Sequence, residues 1–271
     1  MKILITLLLI STQSFAYTLN NNFGAAFSSN EVRVTVDEQT TCVDLNLTVY
    51  ELSDMVKKAA STYWNTVPTS ALEVKSSGFN QAVTNINSGV LCAPTDDTCI
   101  SSAGINIIPP VDGIVIGCND NNANFDTSHV LAVTVPNNFS GRKIKGAVVL
   151  LNTNSAALKN LSYNDKVAVI AHELGHALGL GHTDDKAAIM YYRTIDQRKK
   201  LGEDDMRGIS YLYPIKLDFG GLLGGCGTIS TDTKNPPKNP PFIWMVISFG
   251  GLVSLYELIR FLKRTQTRSA L

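Results

Sequence analysis

The segment HELGHALGLGH, from His172 to His182, places three imidazoles and a carboxylate where they could share one metal ion. His172 and His176 are four residues apart, so on a helix they lie on one face and reach the same point in space. Glu173, beside the first histidine, can hold a water against that metal and take its proton. Gly179 tolerates a positive φ and lets the helix end in a sharp turn, which brings His182 round as a third nitrogen ligand. Three protein ligands leave one coordination position open, the arrangement of a catalytic zinc rather than a structural one. Zn2+ held there would act as a Lewis acid, and Glu173 could take a proton from a water bound beside it. A bare HExxH pair also arises by chance in exposed helices. The added glycine and third histidine make the pattern far more specific.

The same stretch resembles the metzincins, zinc endopeptidases marked by HExxHxxGxxH followed by a methionine turn. Met190, in the run Ala-Ala-Ile-Met-Tyr-Tyr, stands eight residues after His182 and falls where that methionine falls. Leu201 to Pro214 (LGEDDMRGISYLYP) resembles the last helix of the matrixins, the matrix-metalloprotease branch. Ile144 to Asn152 (IKGAVVLLN) resembles the strand before the active-site helix of bacterial matrixin-like proteins, and His129 to Pro136 (HVLAVTVP) the edge strand of their substrate cleft.

The resemblance spans residues 30–214 and implies an α+β fold: a metzincin-like catalytic domain with a twisted, mostly parallel sheet, an active-site helix and a C-terminal helix. It implies that Met190 is a packing floor beneath the histidines and not a ligand. It also implies that a protein or peptide substrate adds as a strand along Val130 to Val135. Tyr192 follows Met190 with the Met-x-Tyr spacing of astacins and serralysins, where the tyrosine contacts zinc or the oxyanion. A wall of the substrate pocket is the other role open to it. The chain departs from the animal matrixins in one respect. It has four histidines, and His129 is the only one outside the motif, so their second, structural zinc site cannot be built. Asp112 to Asp126 is rich in oxygen ligands for Ca2+ but lacks the EF-hand spacing, which leaves a solvated Asn/Asp loop as the competing reading.

Elements must hold these side chains in place. Ser162 is an N-cap, and Asp165 three residues on completes a capping box for the helix that carries the histidines. Val167, Ile170, Ala171, Leu174 and Leu178 give that helix its apolar stripe. Leu52 to Trp64 reads as a second helix, with Met55, Val56, Ala59, Ala60 and Tyr63 inward, and Lys199 to Leu212 as a third. Glu203, Asp204 and Asp205 suit the N-terminal end of that last helix. Strands are expected at Glu31 to Val36, Ile105 to Ile108, Val111 to Ile116, Val130 to Val135 and Ala147 to Leu151.

The ends of the chain place this domain outside the cytoplasm. Residues 1–16 read as a signal peptide, with Ser14 and Ala16 before a cut at Tyr17. The catalytic domain is 17–214, and 215–241 is a Gly/Pro-rich tether. The apolar run 242–262 is long enough to span a bilayer, and the basic tail 263–271 keeps its positive charge on the cytoplasmic side. The expected state is a monomer anchored by one pass, with its catalytic domain in the periplasm or at the cell surface. A shed metallopeptidase and a processed sorting signal around Cys226 are variants of that arrangement. With 23 basic and 23 acidic residues there is no electrostatic footprint for nucleic acid. Outside the cytoplasm four of the five cysteines can pair. Cys92 with Cys99 closes a short polar loop and leaves Cys42 with Cys118, though four cysteines allow three pairings and sequence does not choose among them. The rival to an endopeptidase is a surface binding or adhesion module on the same scaffold with catalysis lost.

Overall fold

The computed structural model of the chain describes residues 17–19, 24–80, 83–91, 106–107, 113–125, 127, 129–193 and 200–215. These belong to the first of two compact units, Met1–Leu217; the second, Asp218–Leu271, lies outside the described residues. The expected leader, the span at 242–262, Cys92, Cys99 and Cys226 therefore lie outside them too. Among the described residues no helix is long and apolar enough to cross a membrane.

In chain order the strands are β1 (Ala26–Phe27), β2 (Glu31–Asp37), β3 (Glu73–Asn80), β4 (Val83–Thr84), β5 (Asn106–Ile107), β6 (Gly113–Asn119), β7 (Ala132–Ser140) and β8 (Lys143–Asn152). The helices are α1 (Val49–Thr62), α2 (Ala156–Asn160), α3 (Tyr163–Leu178) and α4 (Glu203–Leu212). Along the main sheet β3, β2, β6 and β8 are parallel neighbours, and β1 joins the start of β8, also parallel. β7 closes the β8 edge antiparallel, with Thr134 opposite Val149. β4 and β5 form a small separate antiparallel pair. This is a mostly parallel sheet in an α+β fold, as the resemblance implies, with β7 its antiparallel edge.

The central strands are covered on both faces, so their sequences read as near-continuous apolar runs. Ile114, Ile116, Cys118, Val149 and Leu151 pack with α1 and α3 in the larger core. Val115, Val148 and Leu150 face the other way, onto Ile86 and Phe125. Each fully buried side chain of this size contributes about 1.5–3 kcal/mol. The strand β2 has one apolar face, with Val32, Val34 and Val36 buried and Arg33 exposed.

The sequence predicts a helix from Leu52, but α1 begins at Val49, because Thr48 and Glu51 form a capping box. Thr48 Oγ1 accepts from the Glu51 amide at 3.1 Å, and Glu51 Oε2 accepts from the Thr48 amide at 2.8 Å. That settles two of the amides every helix start leaves without an intrahelical partner. The last helix begins at Glu203, four residues beyond the expected Lys199, with Gly202 as its N-cap. Cys42 and Cys118 are bonded, with Cα atoms 5.4 Å apart and a sequence separation of 76. A link closing a loop of that length stabilises the fold by about 4 kcal/mol in the chain-entropy account.

Candidate metal centre

The helix α3 starts where its cap predicts. Ser162 Oγ accepts from the Asp165 amide at 3.2 Å and donates to Asp165 Oδ2 at 2.5 Å. It ends at Gly179, whose φ of 112° lies in the left-handed region. A Cβ there would run into the Ala25 carbonyl oxygen, so both the turn and the close approach require glycine. Beyond it the chain doubles back. The Gly181 amide donates to Thr18 O at 2.8 Å, and His182 returns to the helix face.

The three Nε2 atoms then converge. His172 and His176 are 3.1 Å apart there, His176 and His182 3.1 Å, and His172 and His182 3.3 Å. His172 Nδ1 lies 2.7 Å from Ile189 O, and His176 Nδ1 lies 2.9 Å from Leu180 O. A carbonyl only accepts, so each Nδ1 carries the proton and each Nε2 presents a bare lone pair. Two lone pairs facing each other at that distance repel unless a cation lies between them. Two nitrogens about 2.05 Å from one zinc at a tetrahedral angle are roughly 3.3 Å apart, so the spacing fits the ion. Burial pushes the His176 imidazole below its usual range, as it does that of His182, where His176 adds to the effect. Both shifts favour the neutral, ligating form.

The supports of the histidines come from distant parts of the chain. Met190 is buried beneath Gly175, and a Cβ on Gly175 would overlap Met190 Sδ and come within 2.8 Å of Trp64 Cζ2. Trp64 Nε1 donates to Ala171 O at 2.9 Å, next to His172. The Asp205 carboxylate accepts from the amides of Ile189 at 2.6 Å, Gly202 at 2.8 Å and Met190 at 3.1 Å. It thus fixes the turn whose Ile189 carbonyl orients the His172 ring. At the far end of α3, Tyr213 Oη donates to Leu178 O at 2.9 Å and accepts from the Phe27 amide at 3.1 Å.

Glu173 is 6% exposed, and Thr134 Oγ1 lies 2.5 Å from its Oε2. Burial pushes the Glu173 carboxyl up to about 7, and the Thr134 hydroxyl bond pulls the other way. Two cavities flank the carboxylate. One, of about 650 Å³, is lined by Val130, Leu131, Leu161, Val169 and Tyr192 among others. The other, of about 360 Å³, lies against Thr134, His176 and Gly181. Tyr192 is a wall of the larger one, half exposed, its ring centroid 6.4 Å from that of His182 and 5.2 Å from the Arg193 guanidinium. His129 lines the same cavity and takes no part in the histidine cluster.

Among the described residues His172, His176 and His182 are the one group of three or more such side chains that could hold a metal ion. The asparagines in the stretch considered for calcium are engaged within the protein. Asn119 Nδ2 donates to Ile86 O, and Asn119 Oδ1 accepts from the Asn121 amide and from Asn124 Nδ2. Asp112 and Asp126 lie outside the described residues.

Residues 116–214, from β6 through the edge strand, α3 and the methionine turn to the end of α4, match the family model Peptidase_M10, Matrixin. That stretch of the chain is matrixin-like. It is 31% identical over 99 residues to Stromelysin-2 of Rattus norvegicus, covering 35% of this chain and 20% of that one. It is 42% identical over 59 residues to Metalloendoproteinase 2-MMP of Arabidopsis thaliana, covering 21% and 16%. It is 53% identical over 45 residues to Matrilysin of Homo sapiens, covering 16% and 17%. The chain thus spans a fifth or less of the length of these curated relatives. The relatives it matches are metalloproteinases by name, and in this chain the three-histidine group could hold a metal ion.

Thr134 and Trp64 carry no motif, and the sequence does not show the role of Asp205. Only the three acidic residues at the start of α4 gave a signal, and it pointed to the helix dipole rather than to the turn.

Proposed function

We propose that this chain is an exported, membrane-anchored endopeptidase that hydrolyses internal peptide bonds of proteins. The observation that carries this reading is the juxtaposition of three mutually facing Nε2 atoms with the buried Glu173 carboxylate between two cavities. Zinc, when held by His172, His176 and His182, supplies a Lewis acid that polarises the scissile carbonyl and acidifies water.

The remaining work falls to the protein. The outer side of β7 has no described strand beside it, so its backbone can bind an extended peptide by strand addition. The larger cavity, with its apolar walls, takes an apolar substrate side chain and fixes the register. Glu173 accepts the proton of the attacking water and returns it to the departing amine nitrogen. Tyr192 donates its phenol hydrogen to the oxyanion. The Cys42–Cys118 bond supports an oxidising compartment, in keeping with export. A second reading, a catalytically silent binding module, gains nothing from the structure, because a lost enzyme has no need to keep Glu173 beside the histidines.

The test is cleavage of an unfolded protein by the zinc-loaded full chain. Glu173→Ala should bind one zinc as the parent does and lose turnover by about 10³-fold or more, because it removes the proton carrier and no ligand. Parent-like turnover in Glu173→Ala would overturn the mechanism, and a parent that binds zinc yet cuts nothing would favour the binding module.

A further inference from the structure

Glu173 has to present one carboxylate oxygen to water in a fixed direction, yet the last torsion of a glutamate is broad and roughly two-fold. Something must hold it. Thr134 lies in the middle of β7, 39 residues from Glu173 in sequence, with its hydroxyl 2.5 Å from Glu173 Oε2 and 3.2 Å from the Glu173 carbonyl oxygen. Both partners are acceptors when the carboxyl is ionised, so the hydroxyl donates its one hydrogen, and the shorter contact makes Oε2 the recipient. A threonine is stiff at χ1, and this one sits on a strand whose register with β8 is set by a ladder of pairs from Ala132 to Ser140. The donor therefore stands on a rigid element, and the acceptor on another, α3. Thr134 and Glu173 also line the smaller cavity together, where a substrate laid along β7 would pass.

We propose that Thr134 is a positioning residue of the hydrolytic site. Its hydroxyl pins Oε2 of Glu173 and so leaves Oε1 as the oxygen that meets the attacking water. The hydroxyl acts through Glu173, whose Oε2 takes its one hydrogen. The inference rests on the peptidase reading above. It adds that the edge strand supplies the active site with a side chain as well as a backbone for the substrate.

Thr134→Val keeps the shape and removes the hydroxyl, while Thr134→Ser keeps the hydroxyl and removes a methyl. In the zinc-loaded full chain, Thr134→Val should bind zinc like the parent, leave KM unchanged and lower kcat about tenfold. Thr134→Ser should recover most of that loss. A second measurement needs no turnover. In the metal-free protein, the infrared difference between the parent and Glu173→Gln isolates the Glu173 carboxylate stretch. That band should shift when the difference is repeated on a Thr134→Val background and stay in place on a Thr134→Ser background. Parent-like kcat in Thr134→Val, a Thr134→Ser chain as slow as Thr134→Val, or an unmoved band overturns the proposal. So does a Thr134→Val chain that loses zinc or melts early, since Thr134 would then be a structural residue. A parent that loads zinc and cleaves nothing overturns the peptidase reading instead, and the infrared shift still decides whether Thr134 holds Glu173.

Discussion

A phenol at the position of Tyr192 can serve a peptidase in two ways, as a wall of the pocket or as a donor to the oxyanion. The two differ in what the hydroxyl does. A wall works through the ring, which Tyr192→Phe keeps. A donor to charge that exists only in the transition state works through the hydrogen that Tyr192→Phe removes. On the oxyanion role, Tyr192→Phe should lower kcat about tenfold or more at constant KM. Steady-state kinetics with kcat and KM both unchanged would reduce Tyr192 to a wall. At this scale the sequence is legible where the chemistry is local. His172, Glu173 and His176 share one helical turn, and Gly179 announces the bend that returns His182. Gly175 is visible in the motif, but its purpose, room for Met190 and Trp64 beneath the helix, is not. Thr134 and Asp205 are illegible for the same reason. Their partners lie 39 and 16 residues away, and no periodicity within a strand or helix encodes a meeting between elements.

Between elements, the clearest constraint is the carboxylate of Asp205, which ties the start of α4 to the methionine turn. Burial pushes this carboxyl up from 3.8 to about 6, against the three amide donors that pull it down. The folded chain therefore keeps a proton that the unfolded chain has released. The stability this contributes is present in full below pH about 4 and is lost as pH rises through about 6. Two units correspond to about 3 kcal/mol. Asp205→Asn cannot titrate, so the stability gap between parent and variant should change by that order between pH 4 and 6 and be flat above. Thermal melts of both metal-free proteins across this range measure the gap, and contributions from other groups cancel in the difference. A gap independent of pH would sink the argument. The boundaries of α1 and α4 follow the same logic. Each was displaced from the sequence expectation by a side chain that closes on a backbone amide, Glu51 on Thr48 and Asp205 on Gly202. Apolar periodicity finds the body of a helix, while the start is decided by such contacts.

The whole chain joins this domain to two ends that only the sequence describes. The central strands were legible as apolar runs, since strands buried on both faces lose alternation, and the mostly parallel sheet from the metzincin resemblance; the strand order was not. The anchor is argued differently, from length and charge. Residues 242–262 are apolar over the roughly 20 residues that a helix needs to cross a bilayer core. Lys263, Arg264 and Arg268 follow, the charge pattern of a cytoplasmic end, and on it rests the proposed orientation. The mature chain should therefore resist extraction by salt or carbonate and require detergent. On the proposed topology a protease added from the outer side should cut between Gly220 and Pro241 and release an active domain, because a polar, proline-rich composition buries too little apolar surface to fold. A chain truncated before Phe242 should be soluble. Membrane fractionation with antibodies to both ends reads all three outcomes. An intact mature chain in the soluble fraction, with its C-terminus still attached, would rule out the anchor. A chain lacking the last helix and carrying lipid on Cys226 would replace the single-pass anchor with a processed sorting signal, and the domain would still face outward.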